Sequence, residues 1–307
     1  INSGCVRNRG YELEITATPV LTRDFRWNTT LTWSKNDNKI LSLAEGADEN
    51  QVISTVGTAS IIGRVGGTTG DLWGYKLVRD PEGNVIIGDN GLPEQADEIE
   101  YVGTAYADWK AGWYNEFSYK GFKLGILLDG QVGGTIYSMS FHKMMEQGKL
   151  TQSLNGRLPG TEYYMDANDP RIAAAGYTPQ SGMYMIAPGV VRNDDGTFSP
   201  NTKVVTIESF YKEYYRRANV ETNSFDASFL KIREIRLEYE LPKKVLEKSP
   251  FSKASIAVYG RNLWCFTDYP LFDPESVALD GSSMVSGIET GSLPTTRTFG
   301  FNLNLTF

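Results

Sequence analysis

The chain has 307 residues, of which 40% are hydrophobic, with a formal net charge of -7 and a pI of about 5.0. A nucleic-acid partner is not expected, because such a surface is basic and this chain is acidic with scattered Lys and Arg. No apolar run approaches the ~18 residues of a membrane helix, which excludes a spanning helix but not spanning strands. The 14 Phe, 17 Tyr, 6 Trp and 31 Gly favour an all-β chain.

The first predicted element is a hairpin. Tyr11, Leu13, Ile15 and Ala17 alternate with polar residues, as in a strand with one apolar face. The turn at 22–24 leads into a second strand that carries Trp27, Leu31 and Trp33 on one side and Asn28, Thr30 and Thr32 on the other. Aromatic residues near both strand ends suit a membrane interface, and they equally suit an ordinary core.

A second hairpin is predicted around Lys120-Gly121. The strand before it ends at Tyr119, and the strand after it runs from Phe122 to Leu128 with strict alternation. The preceding stretch, 36–110, is rich in turn-forming Gly, Asn, Asp and Pro and is predicted to be a long irregular loop.

The longest interruption, 138–225, is predicted to hold only helical scraps at 142–146 and 172–175. Two acidic sets lack the spacing and distal Glu of a calcium loop, so turn chemistry is favoured for both: Asp166, Asn168 and Asp169, then Asn193, Asp194 and Asp195. His142 is the only histidine and is predicted to be a loop residue, so no zinc site and no other metal or cofactor is expected.

Three strands are predicted near the C-terminus. The apolar phase changes at Arg233-Glu234 within 228–241, which predicts a bulge or a rim crossing. A short polar turn, the strand 254–262 and a third loop, 263–294, follow. The strand Thr298–Phe307 has one wholly apolar face.

The connections between the seven predicted strands alternate between short turns and long loops. The turns near 19–25, 120–121 and 241–253 fall on one side, and the loops 36–110, 138–225 and 263–294 fall on the other. A transmembrane β-barrel has this asymmetry, with lipid outside and water or a plug inside. The pattern therefore favours part of a barrel over a soluble β-sandwich. Cys5 and Cys265 fit no disulfide framework, although a single bridge between them stays open.

Several motifs resemble SusC/RagA-type TonB-linked outer-membrane proteins of Bacteroidota. They lie in the family's order along nearly the whole chain: Asn8–Leu13, Phe25–Asn28, Leu72–Tyr75, Tyr119–Phe122, Ser228–Arg233, Arg261–Trp264, Asp273–Glu275 and Pro294–Leu303. The resemblance implies an antiparallel transmembrane barrel of about 22 strands, of which residues 1–307 would hold about seven C-terminal strands with long extracellular loops. The N-terminal extension, the plug and the earlier strands are expected to lie outside this chain, which begins at Ile1.

By the same resemblance, the parent protein is an active importer of glycans or peptides in the outer membrane. The implied partners are the rest of the barrel with its plug, TonB, outer-membrane lipid, the transported ligand and a SusD-like lipoprotein that covers the extracellular loops. No chemistry on the substrate is expected.

Two other classes are compatible with the composition. A glycan-processing enzyme would need a carboxylate pair such as Glu12/Glu14 or Glu238/Glu240, but residues two apart on one strand do not flank a cleft as a glycosidase acid and base do. A soluble surface lectin would use loop aromatics. Sugar-stacking or peptide contacts with the ligand are predicted for four aromatic residues in the extracellular loops: Trp73, Tyr75, Trp264 and Tyr269.

Overall fold

The computed structural model describes residues 4–275, 278–280 and 283–307. Within these ranges the strands are β1 (Cys5–Leu21), β2 (Phe25–Ser42), β3 (Gln51–Val56), β4 (Ala59–Gly63), β5 (Asp71–Gly74), β6 (Glu100–Thr104), β7 (Trp109–Tyr119), β8 (Phe122–Val132), β9 (Thr135–Ser138), β10 (Tyr184–Ile186), β11 (Val190–Arg192), β12 (Phe198–Pro200), β13 (Val204–Thr206), β14 (Ser224–Asp226), β15 (Phe229–Glu240), β16 (Lys253–Phe266), β17 (Ala278–Asp280), β18 (Ser283–Val285), β19 (Ile288–Glu289) and β20 (Thr298–Thr306). The helices are α1 (Met139–Glu146), α2 (Pro170–Ala174), α3 (Ile207–Tyr214) and α4 (Lys243–Leu246), with single 3-10 turns at Thr151–Leu154 and Glu221–Asn223. None of the helices in the described ranges is long and apolar enough to cross a membrane.

Seven long strands form one antiparallel sheet in the order β1-β2-β7-β8-β15-β16-β20. These are the seven strands predicted from alternation, and each neighbour in the sheet is the next long strand along the chain. The strands β1 and β20 lie at opposite edges of this sheet. The three short turns lie at one end of the sheet and the three long loops at the other, so the predicted alternation is confirmed.

The turn between β7 and β8 has the backbone that a two-residue hairpin requires. Tyr119 pairs with Phe122, and the central residues Lys120 (φ 46°) and Gly121 (φ 90°) both have positive φ. A type I′ turn has this conformation, and its twist matches that of the flanking strands. The tight turn predicted from Lys120-Gly121 is therefore confirmed.

A bulge in β15 explains the change of apolar phase. Against β8 the register slips between Ile232 and Glu234, so Arg233 is the extra residue on that side. Against β16 the register slips in the opposite sense, with three residues from Ile232 to Glu234 facing four from Trp264 to Arg261. The bulge brings Leu230 and Ile232 onto the same side of the sheet as Leu237, although their sequence phases differ.

The long loops contain more regular structure than the sequence predicts. The stretch 36–110 is not irregular, because β2 continues to Ser42 and β3, β4, β5 and β6 form a four-stranded sheet. The interruption 138–225 contains the eight-residue helix α3 in addition to α1 and α2, which match the two predicted helical scraps. The predicted polar turn 241–253 contains the single-turn helix α4.

The two larger hydrophobic cores of the loops are shared between them. One core joins Ile87 of the first loop to Phe141, Met185 and Phe210 of the second. The other takes residues from all three loops, including Leu72, Tyr137 and Ile288. Each short apolar segment is too small to form a core alone, so the tertiary contacts between loops stabilise them. The three loops therefore form one packed body at their end of the sheet.

Candidate functional site

One face of the seven-stranded sheet carries no charge across its middle. Directly paired residues on neighbouring antiparallel strands point to the same side. One such row crosses all seven strands: Val20, Trp27, Phe117, Leu124, Leu237, Val258 and Phe301. The five successive rows from that of Leu13 to that of Phe25 contain no Asp, Glu, Lys or Arg. Along β7 they extend from Ala111 to Tyr119, roughly 26 Å at ~3.3 Å per residue.

Alternate apolar residues of the two strands with the clearest alternation, 122–128 and 298–307, lie on this apolar face. They include Leu124, Ile126, Leu128, Phe299, Phe301, Leu303 and Leu305. Phe299 and Phe301 are each 74% exposed, which is unusual for such large apolar side chains. An uncharged band of this height matches the ~25 Å apolar belt of a membrane barrel.

Aromatic side chains border the apolar face at both ends. Toward the loops lie Trp33, Trp113 and Trp264, with Phe266 beside Trp264. Toward the short turns one row holds Phe25, Tyr119, Phe122 and Tyr239, with the Phe122 and Tyr239 rings 4.4 Å apart. Two aromatic bands around an apolar belt are typical of side chains at the two water–lipid boundaries.

The opposite face of the sheet is polar and carries cross-strand ion pairs. Arg261 on β16 binds Glu234 on β15 at 2.6 Å, and Lys123 on β8 lies 3.6 Å from Glu240 on β15. Toward β1 this face lines a cavity of about 480 Å³ whose walls include Glu12, Glu14, Thr32, Ser34, Lys110 and Asp129. Charges on this face and none in the middle rows of the other give the sheet one side suited to water and one suited to hydrocarbon.

An ionic cluster anchors the third loop to the polar face. The Lys231 ammonium donates to Asp273 at 2.6 Å and also to Glu275, and both Lys231 and Asp273 are 3% exposed. Arg233, the bulge residue, binds Asp129 at 2.5 Å and Glu275 at 2.6 Å. Burial raises the pKa of the Asp273 carboxyl, but the hydrogen bonds from Lys231, the Glu275 N–H and Thr295, together with the Lys231 charge, outweigh burial and lower that pKa. Sequence reasoning missed this cluster, although a Lys between the strand residues Leu230 and Ile232 and the Asp-Pro-Glu motif signalled it.

The loop body contains its own cavity. This cavity has a volume of about 600 Å³ and is lined by Glu146, Arg157, Met183, Thr206, Glu208 and Lys212, among others. Glu208 and Lys212 bind each other at 2.5 Å, and the Arg157 guanidinium donates to the Ser153 carbonyl at 3.0 Å. Its walls offer charges of both signs and a thioether, so it suits a polar ligand with some apolar surface.

The structure does not bring the four predicted ligand-contacting aromatics together. Trp73 is half-buried on β5, with Tyr101 edge-on at 6.1 Å and the Arg64 guanidinium 5.9 Å from its ring. Tyr75 is half-buried beside the second loop, and its carbonyl accepts the Val220 N–H.

The other two aromatics lie elsewhere in the fold. Trp264 belongs to strand β16 and not to a loop, and it stands on the apolar face with 52% of its surface exposed. Tyr269 is 3% exposed and packs with Ile136 and Ala227, and burial raises the pKa of its hydroxyl.

The two acidic sets serve as turns and a helix cap. Asp166 accepts hydrogen bonds from the backbone and side chain of Asn168, and Asp169 caps α2 and pairs with Arg171. Asp195 accepts from the N–H and hydroxyl of Thr197. Turn chemistry is confirmed for both sets. In the described part of the chain, no three His, Cys, Asp or Glu side chains are grouped to hold a metal ion, and Cys5 and Cys265 are both free thiols.

His142 lies in α1 and is buried rather than a loop residue, with 1% of its surface exposed. Its Nδ1 lies 2.6 Å from the Tyr215 carbonyl oxygen, so Nδ1 carries the proton and donates. The Nε2 atom has no hydrogen-bond partner among the described residues, and its nearest acid is Glu146 at 3.7 Å. Burial lowers the pKa of the imidazole.

A fully buried carboxylate links the third loop to α1. Glu289 on β19 is 0% exposed and accepts hydrogen bonds from the hydroxyls of Ser138 (2.7 Å) and Ser140 (2.8 Å) and from the Ser292 N–H (2.8 Å). Ser138 is itself the N-cap of α1 and accepts from the Phe141 N–H. Nothing in the local sequence around Glu289 predicts its contacts with Ser138 and Ser140, because these two partners lie about 150 residues earlier.

Comparisons with known proteins extend over the whole chain. No protein-family model matches it. The chain is 26% identical over 334 aligned positions to TonB-dependent receptor P3 of Formosa agariphila and 24% identical to TonB-dependent receptor P26 of the same organism, with all of this chain covered in both cases. It is 26% identical over 149 positions, 44% of its length, to TonB-dependent receptor SusC of Bacteroides thetaiotaomicron. The chain spans 29% and 30% of the two Formosa receptors.

Solved structures share the fold. The RagAB peptide importer in its closed-closed state superposes with a TM-score of 0.63 at 16% identity, covering 99% of this chain and 30% of that one. Its open-open state gives a TM-score of 0.61 at 14% identity. These relatives are receptors and transporters and not enzymes. The chain is therefore similar in sequence to TonB-dependent receptors that include SusC, and similar in fold to part of the RagAB peptide importer.

Proposed function

We propose that this chain forms part of the wall of an outer-membrane barrel that imports a nutrient in a TonB-driven manner. The observation that carries the proposal is the division of the sheet into an uncharged face between two aromatic bands and a charged opposite face. In this arrangement the uncharged face contacts lipid and the charged face lines the lumen. The short turns then lie in the periplasm and the loop body outside the cell.

The open edges of the sheet require partners from the rest of the barrel. Unpaired backbone groups are costly in hydrocarbon, so β1 and β20 each need a neighbouring strand. We propose that earlier strands of the parent receptor supply both, that a plug and a TonB-contacting segment precede them, and that a SusD-like lipoprotein covers the loop body. The names of the relatives, which include a TonB-dependent receptor SusC and the RagAB importer, support this assembly.

The transported ligand is proposed to be a glycan or a peptide. Among the four aromatic candidates, we retain Trp73 and Tyr75 as proposed ligand contacts, because they lie in the loop body and are only half-buried. Trp264 lies on the apolar face and Tyr269 is enclosed, so neither presents its ring to the loop body's exterior.

A deletion and uptake experiment tests the proposal. Cells that lack the parent receptor are expected to lose growth on one class of nutrient, either defined oligosaccharides or defined peptides, and to regain it with the wild-type gene. Collapse of the proton gradient is expected to stop uptake, since TonB draws on it. If the Trp73→Ala receptor restores uptake with the wild-type affinity for the ligand and at the wild-type receptor level, Trp73 is not a ligand contact.

Topology is tested separately with epitopes. An epitope at Asp194-Asp195 in the second loop is expected to be labelled on intact cells, and one at Arg23-Asp24 only after the outer membrane is opened. The reverse pattern, or extraction of the receptor without detergent, would contradict the barrel assignment and favour a soluble glycan-binding protein.

A further inference from the structure

The end of the sheet with the short turns is basic, although the chain is acidic. The three turns, 22–24, 120–121 and 241–253, contain six Lys or Arg and two acidic residues. The whole chain contains 30 basic and 37 acidic residues, so outside these turns acidic residues outnumber basic ones by 35 to 24. The positive charge is therefore concentrated at one end of the strands.

The lysines at this end are free to bind a partner. Lys120, Lys243, Lys244, Lys248 and Lys253 are all exposed. None of them forms an ion pair within the described ranges, whereas Lys123, Lys203, Lys212 and Lys231 do. Their charge is thus not neutralised by the segment itself.

The turn 241–253, which carries most of these lysines, also has apolar side chains that continue the uncharged face. The turn 241–253 begins two residues after Tyr239, which belongs to the aromatic row nearest the short turns. On this turn Leu246 is buried and Val245 is 61% exposed, while the Phe251 ring lies 5.0 Å from that of Phe307. Apolar side chains next to lysines are typical of a segment at the membrane interface.

We propose that the basic turns bind the headgroups of anionic phospholipids in the leaflet on their side of the membrane. This inference rests on the proposed orientation of the barrel. Lipid fits better than an acidic protein, because the lysines adjoin the apolar face and its aromatic row, so a lipid can fill both parts at once. Basic segments next to a membrane attract anionic headgroups in this way.

The test uses the full-length receptor that contains this segment, purified in detergent and titrated with phosphatidylglycerol or phosphatidylethanolamine, with bound lipid counted by native mass spectrometry. The wild type is expected to prefer phosphatidylglycerol. The triple variant Lys243→Gln, Lys244→Gln, Lys248→Gln is expected to lose about fivefold in that preference per lysine. The triple Lys35→Gln, Lys39→Gln, Lys149→Gln removes the same charge from exposed lysines at the other end and is expected to keep it.

Equal loss in both triples, or no preference in the wild type, would overturn the proposal, as would co-purification of an acidic protein in place of lipid. Replacement of the three lysines by Arg is expected to retain the preference for phosphatidylglycerol. If the triple Gln variant does not fold, the single variant Lys244→Gln takes its place. An epitope at Glu247 separates the two proposals. If this epitope is labelled on intact cells, the proposed orientation of the barrel is wrong. If the epitope is periplasmic and the triple Lys243→Gln, Lys244→Gln, Lys248→Gln keeps the wild-type lipid preference, only the lipid inference fails.

Discussion

The indole N–H of Trp27 donates a 3.0 Å hydrogen bond to the side-chain oxygen of Asn115 on the neighbouring strand. Asn115 is directly opposite Thr29, in the middle of the uncharged face, and Thr29 in turn accepts from the indole N–H of Trp113 at 2.9 Å. The two polar residues of this row are thus each satisfied by a tryptophan that covers them. Asn115 is only 5% exposed despite its position on the apolar side.

Removing the donor of this pair is expected to destabilise the barrel. Trp27→Phe keeps a ring but leaves the Asn115 oxygen without its indole donor, at a cost of about 1–3 kcal/mol. In an Asn115→Leu background the same substitution is expected to cost much less, since no polar group is left unsatisfied. Denaturant unfolding of the full-length receptor in detergent measures both steps. Equal costs in the two backgrounds would show that the hydrogen bond contributes nothing.

Adjacent residues of β8 test which face meets lipid. Ile126 pairs with Asn115 on the apolar face, and Leu127 pairs with Tyr114 on the polar face. Ile126→Arg is expected to cost ~2–4 kcal/mol near mid-membrane, whereas Leu127→Arg, close to Glu234, is expected to be mild. Ile126 lies near the middle of the uncharged face and so suits this test. Leu303 suits it less well, because it pairs with Ile256 in the aromatic row nearest the turns. Equal tolerance, measured by folding yield and denaturant midpoint, contradicts the barrel orientation.

The buried imidazole of His142 makes the loop body sensitive to acid. Burial lowers its pKa below the ordinary 6.5, so the unfolded state binds more protons in the window below that value. The stability of the loop body is therefore complete above about pH 6.5 and decreases as pH falls toward the lowered folded pKa. Hydrogen exchange of α1 at pH 5.5 and 7.5, corrected for intrinsic rates, measures the effect. His142→Gln is expected to flatten the dependence, and an unchanged slope would assign it to another group.

Loss of the Glu289 carboxylate is expected to loosen the third loop. Glu289→Ala leaves the buried Ser138 hydroxyl and the half-buried Ser140 hydroxyl without their acceptor, at about 1–3 kcal/mol for a buried group. Protease cleavage within 286–297 is expected to accelerate, with Glu98→Ala, an exposed acidic residue without an ion pair in the described chain, as control. Cleavage at the wild-type rate would mean that the hydrogen bonds to Glu289 do not hold the loop.

The open edges predict that residues 1–307 do not form a barrel alone. The strands β1 and β20 flank the sheet and do not pair with each other. Unpaired backbone groups cost several kcal/mol each in hydrocarbon, so the segment expressed alone is expected to aggregate or be degraded. The full-length receptor is expected to run as a heat-modifiable band on a gel. A monodisperse, heat-modifiable barrel from the segment alone would contradict this prediction.

The sequence alone predicted all seven long strands and the alternation of turns and loops. Each of these depends on local signals: the two-residue period of strands such as β20, and turn chemistry such as Lys120-Gly121. The phase change at Arg233-Glu234 predicted a bulge or a rim crossing, and the pairing with β8 shows the bulge, because a single inserted residue shifts the two-residue period.

Only the tertiary structure decided what the loops become. The short apolar segments β3 to β6 have no partner within a local window, so their pairing and the core around Leu72 depend on contacts across the loops. The same holds for the buried Lys231 with Asp273 and for Glu289 with Ser138, whose members are far apart in sequence. Trp264 was predicted to lie in a loop, but it lies on the apolar face. The pairing of β16 with β15 determines this position, and the residues next to Trp264 in the sequence do not indicate it. Local periodicity therefore fixes the wall of the barrel, whereas long-range burial of charge and apolar surface determines the loop body.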